Sequence, residues 1–213
     1  VEITVGDNLK LKTRLVDCVG YLVNNAIGYL EDDMPRMVKT PWSNEEIPFE
    51  QAAEIGTRKV IQEHSTIGIL ITTDGTITDI PRQDYIEAEE RVVRELKEIN
   101  KPFVIVLNTD DPSSDYTIEL AQKLEKKYET PVLPTDCSRL NLDDINNIFG
   151  KILYEFPIET LNITFPKWVD GLNSEHWLKA ELYKEIKEAF ANISVLKQIN
   201  SGIDKLQNTE IIT

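Results

Sequence analysis

The sequence predicts an α/β fold: a mostly parallel sheet with helices on both faces, followed near residue 157 by the start of a second, α+β region. Three observations predict it. The runs Ile67-Gly68-Ile69-Leu70-Ile71 and Phe103-Val104-Ile105-Val106-Leu107 have the length and unbroken apolar character of strands buried on both faces. Between and after them, apolar residues recur at helical spacing with charged residues in between. Near Pro157 this strand–helix alternation stops. Alternation of this kind gives parallel strands joined by right-handed crossovers.

Taken in order, Val1–Val5 and Leu9–Val16 alternate apolar and polar around the turn residues Gly6-Asp7-Asn8, which predicts a β-hairpin. Its second strand is expected to run to Asp17. Residues 18–49 hold Gly20, Gly28, Pro35, Pro41 and Pro48 with little periodicity, and read as a long irregular segment. Glu50–Glu63 favours a helix that buries Ala52, Ala53, Val60 and Ile61. A strand over Ile67–Ile71 closes at Thr72-Thr73-Asp74-Gly75, which reads as a surface turn in preference to a lining of the nucleotide rim. Tyr85, Ala88, Val92, Leu96 and Ile99 mark the next helix, with Glu87, Glu89 and Glu90 on a solvated face. After the Phe103–Leu107 strand, Ile118, Ala121, Leu124 and Tyr128 mark a helix. Pro131–Pro134 forms a short strand, and Ile145, Ile148, Phe149, Ile152 and Leu153 mark a last helix.

The first domain is placed at 1–156. The second, at 157–213, begins with a strand over Glu159–Phe165, broken by Pro166. A long helix follows, capped by Ser174 and running to about Ile199. Trp168 and Trp177 are expected to pack between regions, while Trp42 suits either a core or a partner surface.

Charge and composition narrow the function. Among 213 residues, 37 acids face 23 bases, for a net charge of −14. Such a chain has no counterion-release route to a phosphate backbone, which argues against nucleic acid. Direct adsorption to an anionic membrane is disfavoured for the same reason, so membrane contact would be indirect. No apolar run approaches the roughly 18–20 residues of a membrane span. Cys18 and Cys137 are too few for a disulfide framework and lie far from His64 and His176, which argues against a zinc site and for a reducing, cytoplasmic compartment. The chain starts without Met and in mid-strand, as though an upstream segment had been removed.

In an α/β sheet, ligands sit beyond the carboxyl ends of the strands. Those ends fall near Asp17, Thr73, Asn108 and Thr135. Asp17 and Gly20 form D-x-x-G after an apolar stretch. In phosphate-loop hydrolases the Asp holds Mg²⁺, usually through water, and the Gly N–H approaches the γ-phosphate. The plainer alternative is an Asp that caps a loop. Asn108 and Asp111 form N-x-x-D at a strand tip, where a base-reading N-K-x-D sits in GTPases. Thr135 and Ser138 fall in the loop where a last base contact would lie. Alone, each is ordinary loop chemistry; their order along the chain raises their weight. No G-x-x-x-x-G-K-[ST] occurs, so nothing in this chain cradles the phosphates. The strand that carries such a loop would lie between the Arg14–Asp17 and Ile67–Ile71 strands.

Several stretches resemble the stage IV sporulation protein A family. They include Arg14–Tyr21, Pro35-Arg36-Met37 with Thr40-Pro41-Trp42, Gln51 through Ile77, Asp84–Val92 and Lys101-Pro102-Phe103. The likeness runs from about Leu11 to about Trp177, and more loosely to the end. It implies a translation-factor-like P-loop GTPase-type domain, here without its first strand and phosphate loop, that binds and hydrolyses ATP with Mg²⁺. In that family hydrolysis accompanies polymerisation into the basement layer of the spore coat, on the mother-cell side of the forespore outer membrane. The implied partners are further copies, a small amphipathic forespore-membrane peptide and other coat morphogenetic proteins. Asp17 matches the Walker B Asp and Gly20 its partner glycine. The phosphate-binding Lys, the switch threonines and the carboxy-terminal assembly region have no counterpart here. Thr109 replaces the Lys of N-K-x-D, which weakens guanine reading. Two alternatives stay open: an inactive scaffold or assembly module, whose 21–49 loop and 174–199 helix touch neighbouring copies, and a GTP-binding switch.

Overall fold

The computed structural model describes residues 2–5 and 9–207. The chain divides into two compact units, Val1–Ile152 and Leu153–Thr213.

The first unit opens with a hairpin. Strand β1, Glu2–Val5, pairs antiparallel with β2, Leu9–Lys12, in the register Glu2 to Lys12 and Val5 to Leu9. The expected turn at Gly6–Asn8 lies outside the described residues. The expected continuation of the second strand to Asp17 is corrected: β2 ends at Lys12, and residues 13–20 carry no regular structure. The physical reason is the missing partner. A strand needs a neighbour for its backbone groups, and among the described residues none pairs with Arg14–Asp17. Leu15 and Val16 stand exposed in consequence.

The irregular stretch contains two small hairpins. Strand β3, Leu30–Glu31, pairs with β4, Met34–Pro35, and β5, Met37–Val38, pairs with β6, Ile47–Pro48. Asp32 and Asp33, both left-handed at φ +50° and +62°, make the two-residue turn between β3 and β4, the geometry that matches strand twist in a tight hairpin. Helix α1, Phe49–Lys59, follows and runs into a π-helical turn at Val60–His64. Ala52, Ala53 and Ile61 are buried as expected. Trp42 lies against α1: a Cβ placed on Gly56 would sit 3.5 Å from its ring.

The main sheet has three parallel strands: β7, Gly68–Thr73; β8, Phe103–Asn108; and β9, Val132–Thr135. Their order is β7-β8-β9, with Gly68 opposite Phe103, Thr73 opposite Asn108 and Asn108 opposite Thr135. The crossovers are helix α2, Arg82–Glu98, and helix α3, Asp115–Tyr128. Both connections step in the same direction, so right-handedness puts both helices on one face. That face holds the core: Val93, Leu96, Phe103, Ile105, Leu107, Ala121, Leu124, Tyr128 and Val132 form one buried cluster with Ile61. Val104, Val106 and Leu133 point to the opposite face by strand alternation and are buried too. Helix α4, Leu142–Tyr154, returns after β9 with Ile148, Phe149 and Ile152 buried. Its start is a reciprocal cap: Asn141 Oδ1 accepts from the N–H groups of Asp143 and Asp144, while Asp144 Oδ2 accepts from Asn141 N–H. Pro134 is tolerated because, among the described residues, β9 pairs on one side only. Strand β7 is the other edge, and there Ile71 is 61% exposed.

The second unit departs further from expectation. The strand over Glu159–Phe165 does not form; one antiparallel bridge, Pro157 to Val195, marks its entry. Helix α5, Lys167–Asp170, is a single turn. The long helix begins at α6, Trp177–Phe190, and its cap is His176, whose Nδ1 accepts from Leu178 N–H at 3.2 Å, rather than Ser174. It breaks after Phe190. Gln198 Oε1 takes the N–H groups of Ser194 and Val195, which competes with helical bonding there. Helix α7, Ile199–Gln207, follows and packs closely on the end of α6, where a Cβ on Gly202 would come within 2.6 Å of Phe190 and Ile193 side-chain atoms. Trp168 and Trp177 are exposed, not packed as expected. Among the described residues no helix is long and apolar enough to cross a membrane.

Candidate functional site

The carboxyl ends of β7, β8 and β9 stand side by side, because Thr73, Asn108 and Thr135 are register partners. Three loops leave from that edge, and a hydrogen-bond network joins them. Its centre is Asp74, read from sequence as part of a surface turn but only 5% exposed. Asp74 Oδ2 accepts from Thr109 Oγ1 at 2.6 Å and from Thr117 Oγ1 at 3.1 Å. Its Oδ1 accepts from Thr76 Oγ1 at 2.7 Å and Thr76 N–H at 3.0 Å. Burial alone raises a carboxyl pKa; here the Thr109, Thr76 and Thr117 hydroxyls and the Thr76 N–H outweigh it, holding Asp74 below its ordinary value. Gly75, at φ +97°, lets the loop turn against the start of α2, where a Cβ would lie 3.0 Å from Arg82 N.

The β8 loop hangs on this carboxylate. Thr109 is fully buried and also receives Asp111 N–H at 3.3 Å, while Thr76 Oγ1 receives Asp110 N–H at 3.1 Å. Asn108 spans to the β9 loop: its Oδ1 accepts from Cys137 N–H at 3.0 Å, and Thr109 N–H donates to Thr135 O at 3.1 Å. Asp111 is exposed, with Oδ1 accepting from Ser113 N–H and Oγ, which orders the entry to α3. In the β9 loop, Asp136 Oδ1 accepts from Ser138 Oγ at 2.6 Å and Ser138 N–H at 2.9 Å. The Thr135 hydroxyl donates to Leu133 O. Burial and the Asp136 carboxylate push the Cys137 thiol up. Asn108, Asp111, Thr135 and Ser138 are therefore gathered at one edge, with the Thr135 hydroxyl donating back into β9 and the Ser138 hydroxyl donating within its own loop.

Asp17 and Gly20 bond outside this network. Asp17 is exposed, and its Oδ1 accepts from Cys18 N–H at 2.9 Å. Gly20, at φ +83°, donates its N–H to Thr57 Oγ1 on α1 at 3.0 Å. Tyr21 is buried, donates its hydroxyl to Glu95, and lies under the Arg91 guanidinium, 3.9 Å from the ring centre. Arg91 in turn holds Glu54 of α1 and Glu95. The Gly75 loop meets α2 at Arg82, and Glu95 is thirteen residues further along, about 20 Å down the axis. Gly20 and Tyr21 thus tie the D-x-x-G segment to α1 and to the second half of α2, Asn24 and Asn25 just after it bond Asp84 at the start of α2, and among the described residues no hydrogen bond joins Asp17 or Gly20 to Asn108. A Mg²⁺ ion suits one carboxylate only where phosphates and water complete its shell. Asp17 fits that role in chemistry, and among the described residues no group of three or more metal-ligating side chains gathers.

Sequence reasoning missed a second buried carboxylate. Glu89, read as solvated, is 3% exposed. It accepts from Thr72 Oγ1 at 2.6 Å and Tyr128 Oη at 2.7 Å and pairs with Arg82 at 2.7 Å, tying α2 to β7 and α3. A signal was present: Glu89 falls on the stripe of Tyr85, Val93 and Leu96.

Strand order, crossovers and converging loops define the class: an α/β domain whose ligand edge is the carboxyl end of a parallel sheet. Residues 1–157 match the family model for stage IV sporulation protein A, ATPase domain, and residues 158–213 match that for its middle domain. The chain belongs to the stage IV sporulation protein A family. Over 212 residues it is 46% identical to stage IV sporulation protein A of Clostridioides difficile (strain 630), 48% to that of Bacillus anthracis and 47% to that of Bacillus subtilis (strain 168). Each comparison covers 100% of this chain and 43% of the relative, so the chain spans less than half the length of the curated relatives it matches. No solved structure matches it.

Proposed function

We propose that this chain is the nucleotide-binding core of a sporulation ATPase built on the translation-factor-like P-loop GTPase plan. In the complete protein, ATP hydrolysis drives self-polymerisation into the spore-coat basement layer on the mother-cell side of the forespore outer membrane. Further copies, a small amphipathic membrane peptide and other coat proteins are its partners. One observation carries the nucleotide reading: three strand-end loops are bound together at the carboxyl edge of a parallel sheet, with Asn108 Oδ1 holding Cys137 N–H at 3.0 Å. Asn108, Asp111, Thr135 and Ser138 serve the base end. Thr109, turned inward to Asp74, cannot lie along a base as a lysine stem would, which supports adenine over guanine.

Asp17 and Gly20 serve the phosphate end. The free edge of β7 accommodates one more strand, and a strand seated there would give Arg14–Asp17 the neighbour they lack. Asp17 would then hold Mg²⁺ through water, and the Gly20 N–H would turn from Thr57 to the γ-phosphate. When bound, Mg²⁺ supplies charge neutralisation on the transferring phosphoryl group.

Calorimetry with Mg²⁺ tests the base end: ATP is expected to bind this chain more tightly than GTP. Tighter GTP binding would restore the switch reading. In a chain extended to the length of the relatives, Asp17→Ala is expected to abolish hydrolysis; near-normal turnover removes Asp17 from the site. The exposed position of Asp17 favours a second reading, in which the chain is an inactive assembly module. Light scattering separates the two, since assembly of the extended chain that ignores ATP supports the module.

A further inference from the structure

We infer that Asp74, acting through Thr109, is the positioning residue that sets the base-contacting loops for a purine nucleoside. The inference rests on the nucleotide reading above and goes beyond it, since Asp74 lies in neither motif. The geometry is specific. One buried carboxylate takes hydroxyls from three segments: Thr76 of its own loop, Thr109 of the β8 loop and Thr117 of α3. Two of these reach onward. Thr109 Oγ1 receives Asp111 N–H and Thr76 Oγ1 receives Asp110 N–H, so both acidic residues after Asn108 have their backbone set from Asp74. Asn108 passes the constraint to Cys137 in the third loop. Thr117 leads into α3, where its Oγ1 accepts from Ser114 Oγ at 2.8 Å; it touches Thr109 Oγ1 at a long 3.4 Å but bonds no backbone N–H of the Asn108 loop.

The network has a chemical consequence. Asp74 oxygens only accept, so Thr109 and Thr76 must donate their hydroxyl protons to it. Their lone pairs are then committed to the backbone N–H groups of residues 111 and 110. The hydroxyl directions of Thr76 and Thr109 are thereby fixed, and the outward face of the loop stays open to a ligand. A side chain at 109 is removed from that face altogether. Asp74 thus holds the loop in shape and also withdraws the residue at the position where a lysine would pack along the base.

Two matched substitutions test this. Thr109→Val and Thr117→Val each delete one buried hydroxyl bonded to Asp74, at sites that are 0% and 1% exposed. Their cost to folding should be alike, but only the first cuts the link to the Asn108 loop. Adenosine titrated into the ¹⁵N-labelled chain should shift the amides of Asp110, Asp111 and Cys137. Thr109→Val is expected to weaken adenosine by about ten-fold, the size of a hydrogen bond to a charged group. Thr117→Val should stay within about two-fold, and Thr109→Ser, which keeps the hydroxyl, should recover binding. Equal loss in both valine variants, or no loss in either, overturns the positioning role and leaves the nucleotide reading standing. Adenosine shifts absent from the unaltered chain, or confined to another surface, overturn both.

Discussion

The two motifs that first suggested a nucleotide enzyme meet opposite fates in the folded chain. The N-x-x-D loop follows β8, a strand paired on both sides, and Thr109 at its root is fully buried. The D-x-x-G motif follows a strand that ends five residues too soon, and Asp17 is exposed with a bond to its own neighbour. Both sequences are equally good loop formers. What separates them is the partner strand: a loop inherits its order from the ladder beneath it, and Arg14–Asp17 have no ladder among the described residues. A functional motif therefore needs its supporting strand as much as its own letters.

That contrast can be broken most directly in the apolar residues beneath each motif. Leu107 is fully buried under the Asn108 loop, whereas Leu15 is 68% exposed. Leu107→Ala is expected to cost about 2–5 kcal/mol, against less than about 0.5 kcal/mol for Leu15→Ala, read from denaturant midpoints. A Leu15 cost above 2 kcal/mol would mean the segment is packed in solution and that the two regions do not differ.

The carboxylates should follow, with a smaller gap. Asp74→Ala leaves the Thr109 and Thr117 hydroxyls buried without their acceptor, and about 2–3 kcal/mol of stability should be lost. Asp17→Ala should be nearly neutral for stability. The pH dependence carries a sign. Because the Asp74 carboxyl lies below its ordinary value, its contribution is present above about pH 4 and is lost as pH falls through the lower folded value. Acid unfolding of the unaltered chain should therefore include a transition below pH 4 whose depth shrinks in Asp74→Ala.

How much of this was legible beforehand depends on whether a residue's role is set locally. The two apolar runs announced β7 and β8, and the stripes of α2 and α3 announced their helices, because burial on a regular element writes its own period. Strand expectations at Arg14–Asp17 and Glu159–Phe165 failed together, since alternation shows a face but not whether a neighbour exists. The helix after Ser174 broke where Gln198 reaches back to Ser194, a contact no periodicity shows. Asn108, Asp111, Thr135 and Ser138 were placed at one edge by strand order alone. Asp74 escaped because its partners are threonines: Thr109 and Thr117 lie 35 and 43 residues on, and no opposite charge marks the pairing. Glu89 sat on an apolar stripe but between Glu87 and Glu90, and the charge of its neighbours hid it.

The smallest expected effect concerns where order begins between the two regions. Asp17 is exposed, yet four residues later Tyr21 is buried against Arg91 and Glu95. Tyr21→Phe keeps the ring under Arg91 and deletes only the hydroxyl donated to Glu95, so about 1 kcal/mol should be lost. Burial and the bond to Glu95 push the Tyr21 hydroxyl from 10 up to about 12. A raised value favours the neutral form in the folded chain. The stabilisation is therefore complete below pH 10 and disappears as pH rises toward 12. Stability measured from pH 9 to 12 should fall more steeply for the unaltered chain than for Tyr21→Phe. Parallel curves would mean that Tyr21 is solvated and that the segment carrying D-x-x-G is not anchored to α2. Converging curves would fix Tyr21 as the point where the segment joins the folded domain, four residues from the carboxylate that a nucleotide site would need.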